Sequence, residues 1–188
     1  MLINEMKEGK ELSELLSSFS CEKDEDIEYF LHKRAIEFEK LSKARTYLAF
    51  DQEQLENKDK YLIIYGYISI ALKIPSVPQD MSNRMRKELD GFSAKIHREL
   101  ISDFPCYLIG QLSKNSNVKS GEVTGKQLID FASDIIATSV EAVGGRYMMV
   151  ECRDEEKLIK LYQDNYFNEI ARIPDENQPM VQMIRKIC

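Results

Sequence analysis

The residues best suited to bind an anion lie in a polar stretch between Ser113 and Thr124. An apolar run precedes this stretch, and a helical pattern that starts near Gly125 follows it. Backbone N–H groups at a helix N-terminus are unpaired and lie at the positive end of the helix dipole, so they can bind phosphate. The stretch and the helix start add hydroxyl groups and cations, from Ser113, Lys114, Ser116, Lys119, Ser120, Thr124 and Lys126. These residue types indicate phosphate binding, although neither the Walker spacing nor G-x-G-x-x-G is present.

Histidine and cysteine offer little further chemistry in this sequence. His32 and His97 stand beside arginine and lysine residues, which predicts surface positions for both. The four cysteines lie far apart, with no C-x-x-C spacing and no companion histidine. This pattern predicts neither a disulfide framework nor a metal site, and it favours a reducing compartment.

The elements that must position these residues alternate between helical and strand periodicity. Helical patterns cover Ile27 to Leu41, Met81 to Leu100 with Gly91 as a candidate interruption, the run from Gly125 to Gly144 and a short helix capped by Asp154. Strand patterns cover Thr46–Phe50, Tyr61–Ile70, Cys106–Leu112, Tyr147–Cys152 and two segments between Phe167 and Ile187. A strand–helix–strand order implies parallel strands, and the early and late hairpins imply antiparallel ones. The pattern predicts an α/β protein with one mixed central sheet.

Length and charge narrow the class of protein. The 188 residues suit one domain covering 1–188, and 43% hydrophobic with 31% charged residues is ordinary for a globular protein. The 26 basic and 32 acidic residues give a net charge of -6, which excludes nucleic-acid binding by bulk charge. No apolar stretch is long enough for a membrane helix and no secretion signal is recognisable, so we expect a cytoplasmic protein without a membrane partner.

Several local patterns resemble the GNAT superfamily of acyl-CoA N-acyltransferases, over about Cys21 to Ile187. The segments involved are Arg45–Leu48 with Gly66–Ile68, Leu108–Lys114, Lys119–Gly125 with Leu128, and Leu161–Tyr162 with Phe167. They are similar to the family's second and third strands, its bulged fourth strand, its pyrophosphate loop (R/Q-x-x-G-x-G/A) and the helix after its fifth strand. Two departures stand out: Lys119 replaces the expected Arg or Gln, and Tyr166 replaces a Gly, so that Asn165 or a different turn must end the helix.

The resemblance implies a sheet flanked by helices whose strands splay around a cofactor cleft, with acetyl-CoA as co-substrate. Pantetheine would pair with the backbone of Leu112 and Lys114, with Ser113 between them. The diphosphate would bind the loop and the helix start, at Lys119, Ser120, Gly121, Thr124, Gly125 and Lys126. Glu122 must then point away from the diphosphate.

The resemblance also implies two catalytic residues for transfer of an acetyl group to a primary amine by direct attack. Tyr162 stands where the family keeps a tyrosine that acts as general acid to the CoA thiolate, and Glu151 is the best placed carboxylate for a general base. The alternatives are that Tyr162 packs in a helix stripe, that Glu151 is an exposed strand carboxylate and that water carries the proton.

The acceptor stays open at this point. The first helix and the segment from Pro75 to Asp103 should recognise it, and a small amine, a peptide or a protein amino group each fits. A toxin-like branch of the superfamily acetylates the amino acid on charged tRNA, and the Arg45–Tyr47 strand is similar to that branch, but the negative net charge weakens the analogy. A non-catalytic CoA-binding regulatory module is a further alternative, and a homodimer is compatible with the pattern.

Overall fold

A computed structural model describes residues 10–51, 53–54, 62–119, 121–175 and 177–187. The helices are α1 (Lys10–Ser17), α2 (Glu25–Tyr29), α3 (Ala35–Lys40), α4 (Asn83–Asp90), α5 (Gly125–Val143) and α6 (Glu156–Gln163), with a π-helical turn at Phe30–Arg34. The strands are β1 (Arg45–Ala49), β2 (Gly66–Lys73), β3 (Lys95–Ile96), β4 (Glu99–Leu100), β5 (Cys106–Lys114), β6 (Tyr147–Arg153), β7 (Asn168–Ile173) and β8 (Met180–Lys186). Six strands form one mixed sheet in the order β1-β2-β5-β6-β8-β7, and β3 pairs with β4. This confirms the predicted α/β class.

The described chain groups into two compact units, and the first comprises Met1–Ala71 with Ile109–Asp134. Its helix α2 begins at Asp24, whose carboxylate accepts hydrogen bonds from the N–H groups of Asp26 and Ile27. The helical run continues through the π-helical turn into α3, so that Leu31 and Ala35 are both fully buried. The hydrophobic core of the first unit includes Leu12, Leu16, Phe19, Cys21, Leu31, Ala35, Leu48, Ile64 and Tyr67.

Strands β1 and β2 pair antiparallel within the first unit, with Leu48 opposite Tyr67. The Tyr67 ring is buried, and its hydroxyl donates to the Ile27 carbonyl at 2.6 Å. Desolvation raises the pKa of Tyr67, so the phenol stays neutral and the hydrogen bond persists at all moderate pH. Tyr67 thereby joins the start of α2 to the sheet.

The second unit comprises Leu72–Leu108 with Ile135–Cys188. Strand β8 pairs antiparallel with β6 on one side and with β7 on the other. The hydrophobic core of the second unit includes Val77, Leu89, Ile101, Phe104, Cys106, Tyr147, Met149 and Ile184. Arg86 is buried at 3% exposure, and its guanidinium donates to the carbonyls of Pro78, Gln79, Met81 and Ile101. Arg86 therefore fixes the backbone between β2 and β5.

The structure corrects the sequence expectation in two segments between β1 and β5. The strand predicted at Tyr61–Ile70 begins only at Gly66 and extends to Lys73, and Tyr61 lies outside the described residues. The helix predicted over Met81 to Leu100 stops at Gly91, which has a φ of 89°. The interruption at Gly91 is therefore confirmed, but the segment after it forms a small hairpin of β3 and β4 instead of continuing as a helix to Leu100.

Two single-residue expectations are also wrong. Glu155, and not Asp154, is the N-cap of α6, since both Asp154 carboxylate oxygens accept hydrogen bonds from the Arg172 guanidinium instead. His32 is half-buried, and its Nε2 lies 2.9 Å from the Phe19 carbonyl oxygen. The exposed position predicted for His97 is confirmed, as are β5, α5, β6 and the β7–β8 hairpin.

No helix of the described residues is both long and apolar enough to cross a membrane. Cys21, Cys106 and Cys152 are buried and have free thiols, and Cys188 lies outside the described residues.

Candidate functional site

Four of the predicted binding residues line one pocket of about 340 Å³ in the first unit: Ser113, Lys114, Lys119 and Gly121. The other residues of its lining are Cys21, Lys23, Asn115, Ser116, Val118 and Val123. Leu112, Thr124, Gly125 and Lys126 adjoin the lining residues in sequence but are not among them, and Ser120 lies outside the described residues. The end of β5 and the loop before α5 thus meet at one cavity.

Close approach of β2 to β5 shapes the strand end at this pocket. A Cβ atom at Gly66 would lie 2.8 Å from the Ser113 carbonyl oxygen and 3.1 Å from a methyl carbon of Leu128. Only glycine therefore fits there without moving the backbone of β5. The Ser113 hydroxyl contacts the Cys21 thiol at 3.3 Å and the Lys114 carbonyl at 3.1 Å.

The start of α5 forms a reciprocal capping box. The Thr124 hydroxyl accepts from the Gln127 N–H at 3.1 Å, and the Gln127 side-chain oxygen accepts from the Thr124 N–H at 2.8 Å. The Lys126 ammonium pairs with Asp130 at 2.6 Å. Thr124 and Lys126 therefore already have partners in the chain, and the N–H groups of Gly125 and Lys126 are the first-turn donors that lack a carbonyl within the helix.

In the described part of the chain, three lysines and no carboxylate line the pocket. Lys23, Lys114 and Lys119 are all exposed and all line it, whereas Glu122, also exposed, does not. Three ammonium groups with nearby hydroxyl groups form a surface suited to an anionic ligand such as a phosphate ester. Among the described residues, no group of three or more histidine, cysteine or acidic side chains could hold a metal ion.

Tyr162 lies on α6 in the second unit and is 7% exposed. Its ring packs edge-on against Phe167, with 5.6 Å between the centroids, and no described residue hydrogen-bonds its hydroxyl. Burial raises the pKa of Tyr162 above its ordinary value, so the phenol is neutral and able to donate a hydrogen bond. The turn after α6 is formed by Tyr166 itself, which adopts a φ of 67° at the position where the family has glycine.

Glu151 lies on β6 and both of its carboxylate oxygens have partners. One oxygen pairs with the Lys73 ammonium at 2.5 Å, and the other accepts from the Gln182 amide at 2.7 Å. Cys152, the next residue, lies close enough to Tyr162 to act on its pKa. Because successive strand residues point to opposite faces, Glu151 and Tyr162 lie on opposite faces of β6.

The sequence analysis missed the contribution of the Ser20–Lys23 segment, which supplies Cys21 and Lys23 to the pocket. These residues precede β5 by about ninety positions and form no motif with it. It also missed Asn115, a buried side chain that carries a set of loop hydrogen bonds. The only sequence signal for Asn115 was its position in the polar stretch between Ser113 and Thr124.

Comparison with known proteins defines the class of fold. No protein-family model matches the chain, and no curated protein matches it. Solved structures do match it over nearly its whole length, and their fold is the GNAT fold. The chain therefore has the α/β architecture of GNAT acetyltransferases, which confirms the resemblance at the level of the fold.

Three of the matching structures are as follows. A tyrosine-to-phenylalanine mutant of KacT is 17% identical with a TM-score of 0.67, over 92% of this chain and 87% of that chain. AtaTR bound with AcCoA is 19% identical with a TM-score of 0.63, over 92% and 86%. AtaT complexed with acetyl-methionyl-tRNAfMet is 16% identical with a TM-score of 0.63, over 88% and 85%. At sequence identities of 16–19%, the similarity between this chain and these structures shows a shared fold.

Proposed function

We propose that this protein is an N-acetyltransferase that transfers an acetyl group from acetyl-CoA to a primary amine. The observation that carries the proposal is the lysine-lined pocket at the end of β5, where Ser113, Lys114, Lys119 and Gly121 come together. The pocket has the charge for a phosphorylated donor, and the family resemblance implies that the donor binds at the end of β5 and the loop before α5. A structure with AcCoA bound is among the fold's solved examples.

The donor would be held by backbone and side-chain groups of the first unit. The backbone of Leu112 and Lys114 would pair with the amide arm of pantetheine, and the free first-turn N–H groups at Gly125 and Lys126 would bind the diphosphate. Lys119, Ser120 and Gly121 would complete the phosphate loop. Thr124 acts by capping α5, because its hydroxyl and N–H are already bonded to Gln127.

Tyr162 would serve as the general acid toward the departing thiolate. A neutral phenol without a partner in the described chain is able to donate its hydrogen bond to sulfur as charge develops there. Such assistance is typically worth about 10²–10⁴-fold in rate.

Glu151 would take the proton from the attacking amine, either directly or through water. Glu151 lies on the face of β6 opposite Tyr162, so the proposed base and the proposed acid are on different faces of that strand. The ion pair with the Lys73 ammonium would orient the Glu151 carboxylate.

Turnover of Tyr162→Phe tests the catalytic proposal. CoA release from acetyl-CoA would be followed with small amines, peptides and aminoacyl-tRNA as separate acceptors, and CoA binding would be measured by calorimetry. We expect kcat of Tyr162→Phe to fall by about 10²-fold or more with CoA affinity unchanged. The exposed Tyr166→Phe is the matched control and should keep full activity.

The second candidate is a non-catalytic CoA-binding module, and it is favoured by the pairing of both Glu151 oxygens within the chain. Such a module would bind acetyl-CoA, which would raise the melting temperature of the protein. It would release no CoA with any class of acceptor. An acceptor on tRNA belongs to the same panel, because AtaT has been solved with acetyl-methionyl-tRNAfMet. Absence of both binding and turnover would reject the acetyl-CoA proposal.

A further inference from the structure

We propose that the Ser20–Lys23 loop forms a wall of the donor pocket, that Lys23 contacts the donor's phosphates, and that Asn115 is the positioning residue that holds this loop in place. The inference rests on the proposed function, since it takes the lysine-lined pocket as the site of a CoA-type donor. It adds a third segment to the two that the family resemblance implied, and all of its contacts lie within the first unit.

Asn115 connects three segments of the chain through one buried side chain. It is 5% exposed, and its amide oxygen accepts from the N–H groups of Ser20 at 3.2 Å and Asn117 at 2.9 Å. Its amide nitrogen donates to the Ile64 carbonyl at 2.8 Å. An asparagine both accepts and donates here, so neither aspartate nor alanine can replace all three bonds.

The residues after Asn115 fasten the same loop a second time. The Ser116 N–H donates to the Ser20 carbonyl at 2.8 Å, and the Ser116 hydroxyl accepts from the Glu22 N–H at 3.1 Å. The Asn117 amide donates to the Ser18 carbonyl at 3.3 Å. These bonds join the exit of β5 to the loop that precedes α2.

Glu28 holds the loop from the opposite side. Its carboxylate accepts from the Cys21 N–H at 2.9 Å and from the Ser20 hydroxyl at 3.1 Å. The loop is therefore bonded to α2 as well as to the β5 exit, and its backbone has little freedom. A loop fixed in this way can present a long lysine side chain to a ligand at a reduced entropic cost.

Lys23 is the charged group that this loop brings to the pocket. It lines the cavity with Lys114 and Lys119, which come from the other wall. A ligand with several phosphate charges would thus meet ammonium groups from two sides. The contact of the Cys21 thiol with the Ser113 hydroxyl, at 3.3 Å, is where the two walls meet.

Calorimetric titration with CoA tests the role of Lys23 first. We expect Lys23→Gln to weaken CoA binding by about fivefold and to lower the salt dependence of the dissociation constant, since one phosphate contact is lost. Lys33→Gln, at an exposed lysine of the π-helical turn, is the matched control and should bind as the wild type does. Equal affinity and salt dependence in the Lys23→Gln and wild-type proteins would overturn the assignment.

A double-mutant cycle tests the positioning role of Asn115. Asn115→Ala should weaken CoA binding and flatten its salt dependence as Lys23→Gln does, and the double variant should add little further loss because both act through one contact. Fully additive losses would overturn the role of Asn115. If Asn115→Ala unfolds by circular dichroism, Glu28→Ala releases the loop from its other side and takes the same place in the cycle.

The failure of this inference is distinguishable from that of the proposed function. Wild-type protein that binds no CoA rejects the donor site as a whole. If the wild-type protein binds CoA and the variants bind it equally well, only the role of the Ser20–Lys23 loop is rejected.

Discussion

Single side chains with unusual surroundings explain much of this molecule. Arg86 is the clearest case, because a fully buried guanidinium is satisfied by four carbonyls and by no carboxylate. Glu28, Asn115 and Tyr67 act in a similar way, each tying a loop or a helix end to the rest of its unit. Each of these side chains stabilises the fold by hydrogen-bonding backbone groups, and removing it would leave those groups without a partner.

Arg86→Met should destabilise the protein by about 2–4 kcal/mol, because it leaves buried carbonyl groups without donors. Urea unfolding followed by circular dichroism measures the loss. Arg84→Met, at an exposed position on the same helix, should change stability by less than about 0.5 kcal/mol. Equal stability of the two variants would show that water replaces the guanidinium without cost.

The stabilising contribution of the Glu28 carboxylate should be lost in acid. Hydrogen bonds from the Cys21 N–H and then the Ser20 hydroxyl lower the pKa of Glu28. Its contribution to stability is therefore complete above the ordinary glutamate value of about 4.3 and is lost as the pH falls through the lowered folded value. The difference in melting temperature between wild type and Glu28→Gln should be large at pH 7 and shrink toward pH 3, and a difference independent of pH would contradict this.

At the scale of elements, close approach of β2 to β5 sets the shape of the pocket. The strand patterns predict β5, but no pattern predicts that Gly66 must admit the Ser113 carbonyl at this distance. The capping box at Thr124 likewise fixes where α5 begins and which N–H groups stay available. Local geometry of this kind decides which of the predicted residues face a ligand.

Gly66→Ala should displace the end of β5 and weaken CoA binding by about tenfold, with a loss of stability of about 1–3 kcal/mol from overpacking. Calorimetry and urea unfolding measure the two effects. The exposed Ala137→Ser on α5 is a control that should leave both unchanged. Unaltered affinity in Gly66→Ala would show that the strand end is not held by this contact.

At the scale of the whole molecule, the chain divides into two compact units, yet the sequence predicts one domain. The unit boundaries fall inside β2, β5 and α5, at residues 71–72, 108–109 and 134–135. Elements interrupted in this way cannot unfold in one half alone without losing hydrogen bonds in the other.

The two units should therefore unfold in a single cooperative transition. Hydrogen exchange measured by mass spectrometry in increasing urea reports on each unit separately, through peptides from α2 and from β8. We expect both peptides to lose protection at the same midpoint. Two separate midpoints would show that the chain is two domains.

Much of the fold was predictable because periodic patterns encode it. The runs at Cys106–Leu112 and Tyr147–Cys152 and the stripe after Gly125 specify the strand–helix–strand unit. The family resemblance implies a phosphate loop within this unit, between its first strand and its helix. The helical spacing from Met81 to Leu100 left a break at Gly91 open, and only the surroundings of Gly91 decide it, including Arg146, whose guanidinium fills the space beside it.

The sequence by itself determined the α/β class, the order of most elements and the polar loop where Lys114 and Lys119 meet the start of α5. Only the tertiary structure decided that Lys23 joins them, that Asn115 holds its loop, and that Glu151 is paired with Lys73 on the face of β6 opposite Tyr162. The physical reason is that periodicity records burial along one element. A pocket depends on contacts between residues far apart in the chain, and those contacts leave no regular spacing behind.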